Sequence, residues 1–170
     1  MILPYPLKID SGTGLYYFTT ETNIVYYCGF RNQTNDLSPL IGVYDISITE
    51  FEFHQFIPDL KTKPSRRQDP RVAITITKLL LSFFSDKSKI IVFLCENMDG
   101  RALERQTLFS DWYRKFMKNS LIKISLIIEY KELVIYGGIL VRNDFEYMQL
   151  LHTELADKAV EIISSKFDDN

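Results

Sequence analysis

A chain of 170 residues, 46% hydrophobic and 25% charged, is long enough to bury a sizeable core, which predicts one globular domain spanning residues 1–170. Its formal charge of −2 excludes a global attraction to nucleic acid or anionic membrane, so such a partner would need a local basic patch. No stretch approaches the ~18 consecutive apolar residues of a membrane span, and Met1-Ile2-Leu3-Pro4-Tyr5-Pro6 lacks the basic and apolar regions of a signal peptide; the expectation is a cytoplasmic protein with no membrane partner.

Residues 14–18 and 23–30 are β-branched and aromatic runs separated by Thr19-Thr20-Glu21-Thr22, which predicts a hairpin with a short polar loop. Residues 43–53 alternate, with Val43, Asp45, Ser47, Thr49 and Phe51 on one face, and predict a third, half-exposed strand. A loop over 54–68 carries Pro58, Pro64 and the basic run Lys61, Lys63, Arg66 and Arg67. Asp69 then suits the N-cap of a helix whose first position is Pro70, where the missing N–H costs nothing. Val72, Ile76, Leu79, Leu80, Phe83 and Phe84 recur at helical spacing and form one apolar stripe.

Residues 89–95 are a continuous apolar run too short for an ordinary helix, which predicts a central strand buried on both faces. A second helix follows over 101–118, with Arg105, Phe109, Trp112, Tyr113 and Phe116 on a common face. Residues 122–130 and 133–141 predict a second hairpin turning at Lys131-Glu132, and Gly137-Gly138 in its return strand points to a bulge or a close backbone contact. Asn143 or Asp144 caps a last helix with Tyr147, Leu150, Leu151, Leu155, Ala159, Ile162 and Ile163 on its apolar face. The order βββ-α-β-α-ββ-α predicts an α+β fold, a mixed and largely antiparallel sheet with three helices. An exposed edge in such a sheet would suit a homodimer.

The chemistry concentrates where two helices begin. If the first helix runs antiparallel to the strand it feeds, its start and that of the second helix meet at one rim, bringing Asp69, Arg71, Glu96, Asp99, Arg101 and Arg105 together. Arginines in a first helical turn oppose the helix dipole at a cost of about 0.3–1 kcal/mol each, so Arg71, Arg101 and Arg105 need a compensating anion. Glu96 and Asp99 would supply it in a structural ion-pair hub. An external phosphate or carboxylate would supply it in an anion-binding site. Asp69, Glu96 and Asp99 are also the candidate catalytic carboxylates of a metal-dependent phosphodiesterase, nuclease or nucleotide-handling enzyme, with Mg or Mn as its cofactor. Against that, the rim holds as many arginines as acids, and capping already explains Asp69. Glu129-x-Lys131 matches the acid-x-lysine element of restriction-type nucleases, but at a hairpin turn and without an upstream acid.

The basic loop Lys61, Lys63, Arg66 and Arg67 offers phosphate contacts to a nucleic acid but no aromatic rings for base stacking. Cys28 and Cys95 lie in apolar strands with no metal-ligand spacing, and predict two reduced, packed thiols and no metal site. His54 and His152 stand at no motif spacing.

Asp69-Pro70-Arg71-Val72 followed by Thr75-Ile76, and residues 90–95 followed by Asp99-Gly100-Arg101, Arg105, Phe109 and Trp112, resemble a family of small bacterial proteins defined only as a domain of unknown function. In that family a strand ending Cys-Asp precedes an Asp-Gly-Arg helix start, a following Arg and a Phe-x-x-Trp pair. The resemblance runs from about residue 44 to 167. Glu96 stands where the family has Asp, and Asn143-Asp144 where it has Asn-Pro. The resemblance implies a cytosolic bacterial protein and names no activity.

The sequence therefore supports a protein of unknown function whose first reading is a non-enzymatic interaction or regulatory module with a protein partner and no cofactor, for instance an accessory of a bacterial defence or toxin–antitoxin locus. The enzyme at the Asp69/Glu96/Asp99 rim and nucleic-acid binding through the 61–71 loop are the alternatives.

Overall fold

The computed structural model describes residues 2–32, 47–56, 69–95, 100–130, 133–150 and 157. Four strands open the chain, β1 (Lys8–Ile9), β2 (Tyr16–Thr19), β3 (Val25–Asn32) and β4 (Ser47–Phe56). They are followed by α1 (Pro70–Phe83), β5 (Lys89–Cys95), α2 (Ala102–Trp112), a π-helical turn (Tyr113–Met117), β6 (Leu121–Tyr130), β7 (Leu133–Arg142) and a short helical piece α3 (Met148–Leu150). The seven described strands join in one sheet of order β1-β2-β3-β4-β5-β7-β6. An antiparallel meander β1–β4 meets an antiparallel trio β5-β7-β6 through the parallel pair β4–β5, so the mixed α+β class holds.

Several expectations change. β1 precedes the foreseen hairpin; two residues are too few to leave a periodic signal. The strand expected over 43–53 is present as Ser47–Phe56 and runs three residues further than foreseen, while 43–46 lie outside the described residues. Among the described residues there are two full helices rather than three; of the last helix expected, Met148–Leu150 and Asp157 are helical, and most of the rest lies outside the described residues. Gly137-Gly138 makes no bulge, because β7 keeps unbroken register with both neighbours.

α1 forms as its local chemistry dictates. Asp69 is extended, its side chain accepts from Arg71 N, and Pro70 occupies the first turn. Val72, Ile76 and Leu80 are buried on its inner face, each stabilising the fold by about 1.5–3 kcal/mol relative to exposure. α2 is different. Ala102, Gln106 and Trp112 are its buried residues, and Phe109, Tyr113 and Phe116 pack half-buried against the same core, so of the expected common face only Arg105 is exposed. A π turn follows at Tyr113–Met117. Lys118 N donates to Tyr113 O, five residues back, and the extra residue per turn carries Met117 to complete burial.

β5 is buried on both faces, as its apolar run requires. Ile91, Phe93 and Cys95 face the helices, in one core with Val72, Ile76, Leu80, Ala102, Trp112 and Met117. Ile90 and Val92 are buried on the other face with Ile139, Val141, Leu126 and Ile128. Across the helix-side face runs a row of paired positions, Phe30, Phe51, Phe93, Gly138 and Ser125. The Phe93 ring fills the space above Gly138: a Cβ added there would lie 2.7 Å from its Cζ and 2.6 Å from Ile124 O. Phe109 of α2 packs on the same ring at 4.4 Å between centroids. Gly138→Ala must therefore displace either a core ring or a neighbouring backbone, and is expected to cost about 1–3 kcal/mol in urea unfolding. Gly12→Ala meets only an ordinary 3.4 Å contact and should change stability by less than about 0.5 kcal/mol.

Candidate functional site

The start of α1 is tied to the N-terminal segment. Asp69 Oδ1 accepts from Arg71 N at 2.8 Å and Oδ2 accepts from the Tyr5 hydroxyl at 2.6 Å. Tyr5 N donates to Thr75 Oγ1 at 2.8 Å, and Thr75 Oγ1 donates to Arg71 O at 2.7 Å. The Arg71 guanidinium lies 3.9 Å over the Tyr5 ring, donates from Nε to Leu3 O at 3.1 Å, and forms an ion pair with Glu21. Burial and the bond to Asp69 both push the Tyr5 hydroxyl pKa up. Both Asp69 oxygens are thus engaged in holding the helix start, and a metal ion would have to compete with the cap and with Tyr5.

The second group gathers at the exit of β5. Cys95 is buried, and burial raises its thiol to about 11, with the positive charges of Arg105 and Lys123 opposing the rise. Arg105 is exposed on α2. Lys123 reaches the same neighbourhood from β6; burial lowers its pKa, Cys95 works against that, and the nearby Arg114 adds to it. Its ammonium donates to Ser125 Oγ at 2.6 Å, and among the described residues no carboxylate pairs with it. Arg101, at the N-cap position without a side-chain capping bond, pairs with Glu104 through Nε and Nη2, both at 2.8 Å. Gly100 precedes it at φ 72°, a left-handed conformation that turns the chain into α2 at no steric cost.

The geometry places the rim residues as follows. Asp69 and Arg71 engage Tyr5, Leu3 and Glu21, whereas Arg101 engages Glu104, and Arg105 acts with Lys123 on Cys95. Glu96, Asp99 and the basic run Lys61, Lys63, Arg66 and Arg67 lie outside the described residues. Glu21 and Glu104 are partners that sequence reasoning missed. Glu104 was legible three residues from Arg101 on one helical face; Glu21, fifty residues from Arg71, left no local signal. Lys123 was equally overlooked, although a charge inside the apolar run 121–128 is itself a signal.

Among the described residues, seven strands in mixed order, with two helices packed on one face and basic side chains at the end of the central strand, define an α+β protein. The chain belongs to a family of unknown function, DUF6169, whose model matches residues 68–154, just over half its length. The match is narrower than the resemblance over 44–167: it takes in α1, β5, α2, β6 and β7 and leaves out β1–β4. No curated protein and no solved structure gives a significant match.

Two outcomes follow. Asp69→Ala is expected to cost about 1–2 kcal/mol through the lost cap and the stranded Tyr5 hydroxyl. In a double-mutant cycle with Tyr5→Phe the two losses should sum to more than the double variant shows; strict additivity would place Tyr5 and Asp69 out of contact. The thiols set an alkaline limit. Burial holds Cys28 up at about 12 and Cys95 at about 11, above an ordinary value of 9.0. The unfolded chain then binds fewer protons than the folded one above pH 9, so stability falls as pH rises through that window. The denaturation midpoint of a Cys28→Ala/Cys95→Ala variant should fall less steeply over the same range.

Proposed function

We propose that the protein is a non-enzymatic binding module that receives acidic groups of a protein partner at the start of α2, with Arg101 and Arg105 as the receiving guanidiniums. The observation that carries this reading is the convergence of Arg105 and Lys123 on Cys95 at the exit of the buried central strand. Positive charge is thereby concentrated on a rigid element, and Arg105 presents its planar donors on an exposed helical face. Glu104 pairs with Arg101 in the same first turn of α2 and fixes where that guanidinium lies. A catalytic reading draws less support, because Asp69 is committed through both oxygens to the cap and to Tyr5.

Affinity capture from native lysate at physiological salt tests it. The wild-type chain should retain a partner that high salt releases, since salt screens exposed charge pairs beyond a Debye length of about 8 Å at 0.15 M. Arg101→Ala/Arg105→Ala should lower recovery by about tenfold, equivalent to about 1.4 kcal/mol, with an unchanged unfolding midpoint. Recovery of no partner by the wild type, or equal recovery by the variant, overturns the proposal.

A further inference from the structure

The two edges of the sheet are unequal. β1 ends one side with two residues, whereas β6 ends the other with ten and, among the described residues, pairs only with β7. In an antiparallel pair every second residue directs its N–H and C=O away from its neighbour, so a ten-residue edge offers a row of unpaired backbone groups. Proteins blunt such edges with proline, bulges, short length or charged side chains, and β6 carries only the last, in Lys123 and Glu129. β6 has no proline, and its pairing with β7 runs unbroken from Leu121 to Tyr130. Its centre is apolar, Leu126-Ile127-Ile128, and Ile127 stands 64% exposed.

We propose that β6 pairs antiparallel with β6 of a second copy of this chain about a two-fold axis at Leu126, placing Lys123 opposite Glu129 of the second copy. An axis normal to the sheet keeps helix-side residues opposite helix-side residues, so the axis can fall only at a residue, and the sequence then chooses among few registers. At Ser125 the axis sets Lys123 opposite Ile127 and Glu129 opposite Leu121, stranding both charges. At Ile127 it sets Glu129 opposite Ser125 and shortens the paired segment. At Leu126 it sets Lys123 opposite Glu129 twice, Ser125 opposite Ile127 twice, and Ile124 opposite Ile128 twice on the other face.

Opposite charges directly across a strand pair stabilise it, and like charges there destabilise it. Lys123 is half-buried with a hydroxyl as its hydrogen-bond partner, and Glu129 is exposed, so the second copy brings to each an opposite charge that no ion pair among the described residues supplies. The same register lays Ile127 against the neighbouring strand, removing the largest exposed apolar side chain of β6 from water.

Sedimentation equilibrium of the full chain tests this without any ligand. The wild type should sediment at twice the mass of one chain. Lys123→Glu and Glu129→Lys should each weaken the dimer by at least tenfold, by opposing like charges twice across the axis, and the double exchange Lys123→Glu/Glu129→Lys should restore it. Circular dichroism melts of all four proteins separate lost pairing from lost folding. If an exchange unfolds the chain, Ile127→Lys, on a side chain already exposed, is the substitute and should likewise yield monomer. A monomeric wild type overturns the proposal, as does a dimer indifferent to both single exchanges, which would place the contact elsewhere, such as the exposed Ile2, Leu3 and Ile9. Because mass is the readout, failure here is independent of whether Arg101 and Arg105 bind a partner.

Discussion

The contact between Phe93 and Gly138 governs the arrangement of this molecule. A ring at the middle of a doubly buried strand needs space on the neighbouring strand, and β7 supplies it by having no side chain there. Phe93 can then carry Phe109 on its outer surface, which fixes how α2 lies on the sheet. Once α2 is seated, Ala102 is buried beneath its first turn and Arg105 is turned outward beside the exit of β5. The cationic group thus owes its position to an apolar contact one layer below it, consistent with the general weakness of exposed ion pairs as organisers of structure.

A second chain of aromatic contacts links the two helices across the sheet. Tyr5 stacks on Phe18 at 5.6 Å, Phe18 on Tyr26 at 5.2 Å, Tyr26 on Phe53 at 5.3 Å, and Phe53 meets Trp112 edge-on at 6.2 Å. One end of this row is the residue that binds Asp69 and lies under Arg71; the other is the last residue of α2. Each such pair contributes about 0.5–1.5 kcal/mol beyond the area it buries. The start of α1 and the end of α2 are therefore linked through a row of rings. The family match begins immediately before α1, so Tyr5 and the strands that supply Phe18, Tyr26 and Phe53 lie outside the matched segment.

What could be read from the sequence was what local chemistry determines. Asp69-Pro70 marks a helix start because the cap and the missing N–H act within three residues, and the apolar stripe of α1 lies at an uninterrupted helical period. β5 was legible because burial on both faces leaves only apolar residues and a thiol from Ile90 to Cys95, and both cysteines proved buried and free. Gly137-Gly138 was legible as a close contact but not as to its partner, since Phe93 is far away in sequence. The aromatic face of α2 was legible, since Phe109, Trp112, Tyr113 and Phe116 pack on the core, whereas Arg105, placed with them, is exposed. Ala102 and Gln106 are buried as well but carry little hydrophobic signal, and the π turn after Trp112 follows no spacing rule. Arg71 with Glu21, and Lys123 with Cys95, are products of tertiary proximity, which no spacing rule encodes.

The same π turn bears on why β6 occupies an edge. Tyr113–Met117 widens the end of the helix, Met117 drops into the core, and Ser120 N closes onto Met117 O, so the chain enters β6 at Leu121, itself buried against the helices. β7 then returns between β6 and β5. Gly138 on β7 leaves the room that the Phe93 ring occupies, so the strand beside β5 is one without a side chain at that position. β6 lies outermost, with Lys123, Ile127 and Glu129 on its helix-side face.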